Sequence, residues 1–333
     1  MRFLRYSVLI IAVVLWAGGL FGSASHWLYE TGVIADEYRF GDLYRLSNLS
    51  QFKQAQPVCR SANRSSDTAS THLYLIGDSF TEPERIDKLD FRVSHFQRTS
   101  WGHSQRIQLD PTKRNVLLIE SVERHFRQHF EHPITEIVVE ADTGRTLIEQ
   151  PSLGKGISSD FHRTDVEERL EATLFSHDWA FWFKELKASL TLNWFDRTSS
   201  KVSLSQDKKQ IFLNLDTDTT LKIVSSFSGL TDREVNTLVD SVNNVALHYK
   251  RLGFNEVYLS VIPNKASILE VHRPDYNHLI ERLQTSPRLA VPIINVYDAF
   301  KQAPASPYLN GDTHWTCEGQ RMWLERTQQR MGI

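Results

Sequence analysis

Apolar and polar positions along this chain fall into blocks whose period changes several times. Residues 72–76 form a short apolar run that stops at Gly77, and similar runs occupy 115–119, 256–262 and 291–296. Runs of this length, bounded by turn residues, predict buried strands. Stretches with helical spacing lie between or after them, at 120–130, at 232–252, and at 275–283 behind Pro274. Strands alternating with helices predict an α/β core with a mostly parallel sheet. In such sheets the working residues gather at the carboxyl ends of the strands.

The middle third breaks this rhythm. Residues 136–141 and 145–150 flank Asp142-Thr143-Gly144, and residues 201–205 and 210–215 flank a polar tetrapeptide. Both patterns predict hairpins. A helical stretch, 164–195, lies between them. Residues 134–228 therefore read as an α+β insertion, and the catalytic core as 71–133 with 229–333.

The N-terminus has a third pattern. Arg2 and Arg5 precede an uncharged apolar stretch from 6 to 24. A membrane span needs about 17–25 such residues. Positive charge on its N-terminal side predicts export of the rest. Residues 1–25 thus read as a transmembrane anchor, with a signal peptide cleaved near Gly22-Ser23-Ala24 as the alternative. Residues 26–70 read as a tether and packing segment. The anchor predicts a single-pass protein of the inner membrane, with its catalytic domain facing the periplasm or the outside.

Composition narrows the partners. The 333 residues carry a formal net charge of -2 and no dense Lys/Arg run, which argues against nucleic acid. The two cysteines, Cys59 and Cys317, fit either a disulfide or two buried thiols. Neither sits in a CxxC, and no metal or cofactor motif is present.

Two short motifs carry candidate chemistry. Gly77-Asp78-Ser79-Phe80 follows the first strand and puts a serine at its carboxyl end. A serine hydroxyl is a weak nucleophile unless a base takes its proton and N–H groups hold the oxyanion. Near the other end stands Gly311-Asp312-Thr313-His314-Trp315. An Asp and a His two residues apart on a loop suit a base and its orienting carboxylate. Either motif alone also reads as a helix cap or a polar loop.

Together the motifs resemble the SGNH (GDSL-type) hydrolases. The Asp-x-His-Trp ending is similar to the alginate O-acetylation proteins of the AlgX/AlgJ type and their DHHW-type relatives. Residues 118–124 and 261–268 look similar to that subgroup too. The resemblance implies a three-layer fold with Ser79 as nucleophile, His314 as base and Asp312 as its orienter. It implies no cofactor. It also implies O-acetylation or deacetylation of a polysaccharide, with a membrane-bound O-acyltransferase as acyl donor.

The pattern departs from the family at one place. No Gly-x-Asn-Asp block supplies an oxyanion asparagine, and Glu120-Ser121 stands near that strand end. Gly102, Arg124, Lys265 and Trp315 are the remaining oxyanion or substrate-binding candidates. The rival expectation is a glycan-binding or assembly protein with weak catalysis. Two further features each have two readings: His125, His129 and His132 as a metal-binding face or, more simply, an exposed polar face, and the aromatic stretch 179–195 as a sugar-stacking or membrane-resting face or, more simply, a packing helix.

Overall fold

A computed structural model of the chain describes residues 2–20, 43–47, 49–54, 58–59, 65–140, 178–198 and 200–333. In chain order its elements begin with helices α1 (Arg2–Leu20) and α2 (Tyr44–Ser47), then strands β1 (Thr71–Gly77), β2 (His95–Ser100), β3 (Gln105–Ile107) and β4 (Arg114–Val122). There follow α3 (Glu123–His129), β5 (Ile137–Val139), α4 (Asp178–Phe195), β6 (Val202–Leu204), β7 (Ile211–Leu213), α5 (Asn214–Thr217) and α6 (Asp232–Arg251). The chain closes with β8 (Glu256–Ile262), α7 (Lys265–Leu269), α8 (Leu279–Gln284), β9 (Ile293–Ile294), α9 (Tyr297–Lys301) and α10 (Cys317–Met331). Short 3-10 turns at Ser79–Thr81 and Lys88–Asp90 complete it.

The chain divides into two compact units, 1–56 with 144–198 and 57–143 with 199–333. The second holds a five-stranded parallel sheet in the order β2-β1-β4-β8-β9. Leu73, Leu75, Val116, Leu117, Leu118 and Leu259 are almost wholly buried in it. Strands covered on both faces read as continuous apolar runs, which is why these were visible in the sequence. Helix α6 buries Val235, Leu238, Val239, Val242, Val245, Ala246 and Tyr249 along one stripe. A Thr231/Glu234 capping box opens it.

The strand order turns back between β1 and β4: β1 leads outward to β2, and the chain then crosses to β4 on the other side. In open parallel sheets that switch point leaves a crevice at the carboxyl ends of the strands. Gly77 ends β1 and Val122 ends β4, so the crevice lies beside Ser79.

Several expectations change. β4 runs on through Glu120 and Ser121, so α3 starts at Glu123 rather than at 120. Helix α8 starts only at Leu279, because Asp275 and His278 adopt positive φ of 69° and 55°. The second expected hairpin is present as antiparallel β6–β7. In the first, β5 instead pairs in parallel with β3, and its other arm lies outside the described residues.

In the other unit, Leu43, Leu46, Leu49, Phe52 and Leu192 of the α2–α4 region are buried, and Lys53 pairs with Glu185 at 3.5 Å. Trp182 and Trp194 of α4 are exposed. The described part of the expected anchor forms helix α1. Among the described residues no helix is long and apolar enough to cross a membrane, and residues 21–24 lie outside them.

Candidate active site

The end of β1 is built for a close approach. A Cβ on Gly77 would come within 2.1 Å of Thr81 Oγ1 and 2.8 Å of Glu120 Oε2, so only glycine fits. The next residue, Asp78, holds the turn. Its Oδ1 accepts the Phe80 N–H at 3.2 Å and its Oδ2 accepts the Val122 N–H at 2.7 Å. Its own N–H donates to Glu120 Oε2 at 2.9 Å, and the Thr81 hydroxyl donates to the same oxygen at 3.1 Å. From β2, Arg98 donates to the carbonyls of Gly77 and Asp78 at 3.2 and 2.6 Å. Asp78 is thus the cap that the bland reading expected, and its capping fixes where Ser79 points.

Glu120 is wholly buried. Burial first, and then the Asp78 carboxylate, push its pKa well above the ordinary value. Both causes favour its neutral form at a strand end that already carries the Asp78 side chain.

The distant loop meets this turn. His314 Nε2 lies 2.9 Å from Ser79 Oγ, and His314 Nδ1 lies 2.6 Å from Asp312 Oδ1. The same Asp312 oxygen accepts the His314 backbone N–H at 2.7 Å. An ionised carboxylate only accepts, so Nδ1 carries the proton and Nε2 is left to accept from the serine hydroxyl. Burial pushes the Asp312 pKa up, but the hydrogen bond and charge of His314 outweigh it and hold it at about 2. His314 is 8% exposed and Asp312 1%, so the pair is shielded while Ser79 remains partly open. The Phe80 ring packs 4.9 Å from the imidazole. Among the described residues the Ser79 N–H has no acceptor, which leaves it available to an oxyanion.

The other four candidates have different tasks. Gly102 is exposed, with φ 76°, and its N–H donates to Glu136 Oε1 at 3.2 Å. Arg124 is buried and pairs with Asp216 at 3.5 Å. Lys265 is buried among backbone carbonyls. Trp315 is buried, edge-on to Phe80 at 5.0 Å and tilted on Trp323 at 5.5 Å. The open question of the cysteines is answered: Cys59 and Cys317 are bonded, with Cα atoms 5.2 Å apart.

Spacing alone missed Arg98, Glu120 and the Ser121–His129 pair. His129 stacks on Trp101 at 3.9 Å, and its Nδ1 lies 2.9 Å from Ser121 Oγ. Burial pushes the pKa of His125 down and that of His129 to about 4, so the expected exposed face is partly buried instead. Among the described residues no group of three or more His, Cys, Asp or Glu side chains is placed to hold a metal ion.

No protein-family model matches the chain, and no curated protein or solved structure matches it either.

Proposed function

We propose that this chain is a serine acyltransferase or esterase on a three-layer SGNH-hydrolase-like fold, acting on O-acetyl groups of a polysaccharide outside the cytoplasm. The observation that carries the reading is the Ser79–His314–Asp312 relay at 2.9 and 2.6 Å. Ser79 Oγ attacks the acyl carbonyl as its proton passes to His314 Nε2, and the Ser79 N–H meets the oxyanion. The leaving alcohol takes that proton, which leaves an acyl-Ser79 ester. A sugar hydroxyl or water then gives a proton to His314, attacks the ester and restores the serine. Asp312 stays ionised throughout and steadies the imidazolium.

The disulfide fits an oxidising compartment, as export requires. The apolar α1 fits attachment at the inner membrane, and a membrane-bound O-acyltransferase fits the need for an acyl donor. The test is acetyl transfer from an activated acetyl ester. Wild type should form acetyl-Ser79, seen by peptide mass, and turn over. Ser79→Ala should lose both with its fold intact, and wild-type turnover in that variant would refute the assignment.

A second reading, a glycan-binding protein of weak catalysis, draws on Glu120. The family's oxyanion asparagine is absent, and this carboxyl instead accepts from Asp78 and Thr81. Oligosaccharide binding without any acetyl-Ser79 would favour it.

A further inference from the structure

Lys265 opens helix α7 at the carboxyl end of β8 and is 1% exposed. A lysine buried this deeply needs a matched set of acceptors. Its Nζ lies 3.0 Å from the Ile211 carbonyl, 2.5 Å from that of Leu309, 2.7 Å from that of Asn310 and 3.3 Å from that of Asp312. An ammonium has three N–H donors, so four carbonyls use all of them. None is left for a substrate oxygen.

Three of those carbonyls belong to the loop that carries Asp312 and His314. The loop is pinned at its base, where Thr316 N–H donates to Pro307 O at 2.8 Å and Leu309 N–H donates to His314 O at 3.2 Å. Tyr308 and Trp315 form a bridge across it. Beyond that bridge, carbonyls 309, 310 and 312 converge on the ammonium. The fourth carbonyl belongs to Ile211 of β7, whose N–H in turn donates to Asn310 O at 3.1 Å. One cation therefore ties the catalytic loop to β7 and to the carboxyl end of β8.

We propose that Lys265 is a positioning residue: its buried ammonium gathers the carbonyls of the 309–312 turn and so holds His314 within reach of Ser79. This rests on the catalytic reading of that pair. A neutral side chain cannot gather several carbonyls at one point, and a planar guanidinium donates in a fork rather than to a single centre.

The experiment uses the full chain with 15N-labelled histidine. His314 is assigned by loss of its signals in His314→Ala. Imidazole 15N shifts then report which ring nitrogen carries the proton. Wild type should show His314 protonated at Nδ1. Lys265→Met, folded by circular dichroism, should show mixed tautomers at His314. Its kcat should fall about a hundredfold, the scale expected for a displacement of about 1 Å, with KM within about twofold. Lys265→Arg should recover part of the kcat.

A Lys265→Met protein that keeps the wild-type tautomer would overturn the proposal. So would failure of the Met and Arg variants alike to fold, because the lysine would then support the whole fold rather than this loop. A wild type without Ser79-dependent turnover would instead sink the catalytic reading, and the tautomer measurement would still judge Lys265.

Discussion

Among the described residues two serine–histidine pairs stand at the carboxyl ends of neighbouring strands, each at 2.9 Å, and their surroundings differ. Beyond β1, Ser79 faces His314, and Asp312 occupies the other ring nitrogen. At the end of β4, Ser121 faces His129, but Ser121 is wholly buried and its hydroxyl donates to the Val122 carbonyl at 3.1 Å. That hydroxyl has one proton, already given, so His129 Nδ1 must donate to Ser121 and not accept from it. The flow of protons is reversed. Among the described residues no carboxylate hydrogen-bonds to His129, which stacks on Trp101, and burial lowers its pKa to about 4. A serine–histidine distance therefore says little by itself. The orienting acid, the direction of the hydrogen bond and the opening to solvent separate a relay from a strut.

The sharpest way to break this comparison is Asp312→Asn. Removing the charge that fixes the tautomer should cut kcat roughly a thousand- to ten-thousand-fold with the fold retained. Steady-state kinetics on an activated acetyl ester would check it, and a loss under tenfold would put the two pairs on a level. Ser121→Ala should do something different in kind. Turnover should stay within about threefold, while stability falls by about 1–3 kcal/mol as a buried imidazole N–H loses its acceptor. Urea denaturation followed by fluorescence would read it, and a hundredfold loss of kcat would make Ser121 part of the machinery.

The smallest effect lies in the pH dependence of stability. His129 has a folded pKa of about 4, below its ordinary 6.5. Between those values the unfolded chain takes up a proton that the folded one refuses, so acidification from pH 6.5 to 4 should lower Tm. Glu123, raised to about 7 by burial, pulls the other way over pH 4.5 to 7. Comparison of wild type with His129→Asn removes that contribution, and the variant should lose less Tm across the His129 window. Asp312, with its pKa lowered from 3.8 to about 2, adds stability that disappears only as pH falls through that lower range. Parallel Tm profiles for the two proteins would show that burial of His129 does not shift its titration.

Much of this site could be read from the chain. The strand ending at Gly77, the strand 256–262 and the long helix after Thr231 announced themselves because each is a periodic block with a clear stop. Ser79, Asp312 and His314 stand out because each lies in a short local motif, Gly-Asp-Ser after a strand and Asp-x-His on a loop. β2 stayed hidden, since His95–Ser100 is a half-buried edge strand without an apolar run. The sequence places Glu120 near a strand end but does not show its burial, because a buried glutamate looks like any other in a sequence. Lys265 and Arg124 were legible as strand-end cations, but their partners lie far away in the chain, at Leu309, Asn310 and Asp216, where no local spacing reaches.

The Cys59–Cys317 bond sets a clock on how this molecule is made. Its halves lie 258 residues apart, and the later one opens α10, three residues past His314. At about 5–20 residues per second of synthesis, the first thiol emerges roughly 13–50 s before its partner exists. Through that interval Cys59 has no intramolecular mate, and any bond it makes is with another molecule. Closure comes only after Cys317 has been delivered, by which point every described strand of the sheet has been synthesised. Heterologous production would accordingly be limited by protection of one early thiol, and a late pulse of oxidant should yield more monomer than oxidising conditions from the start.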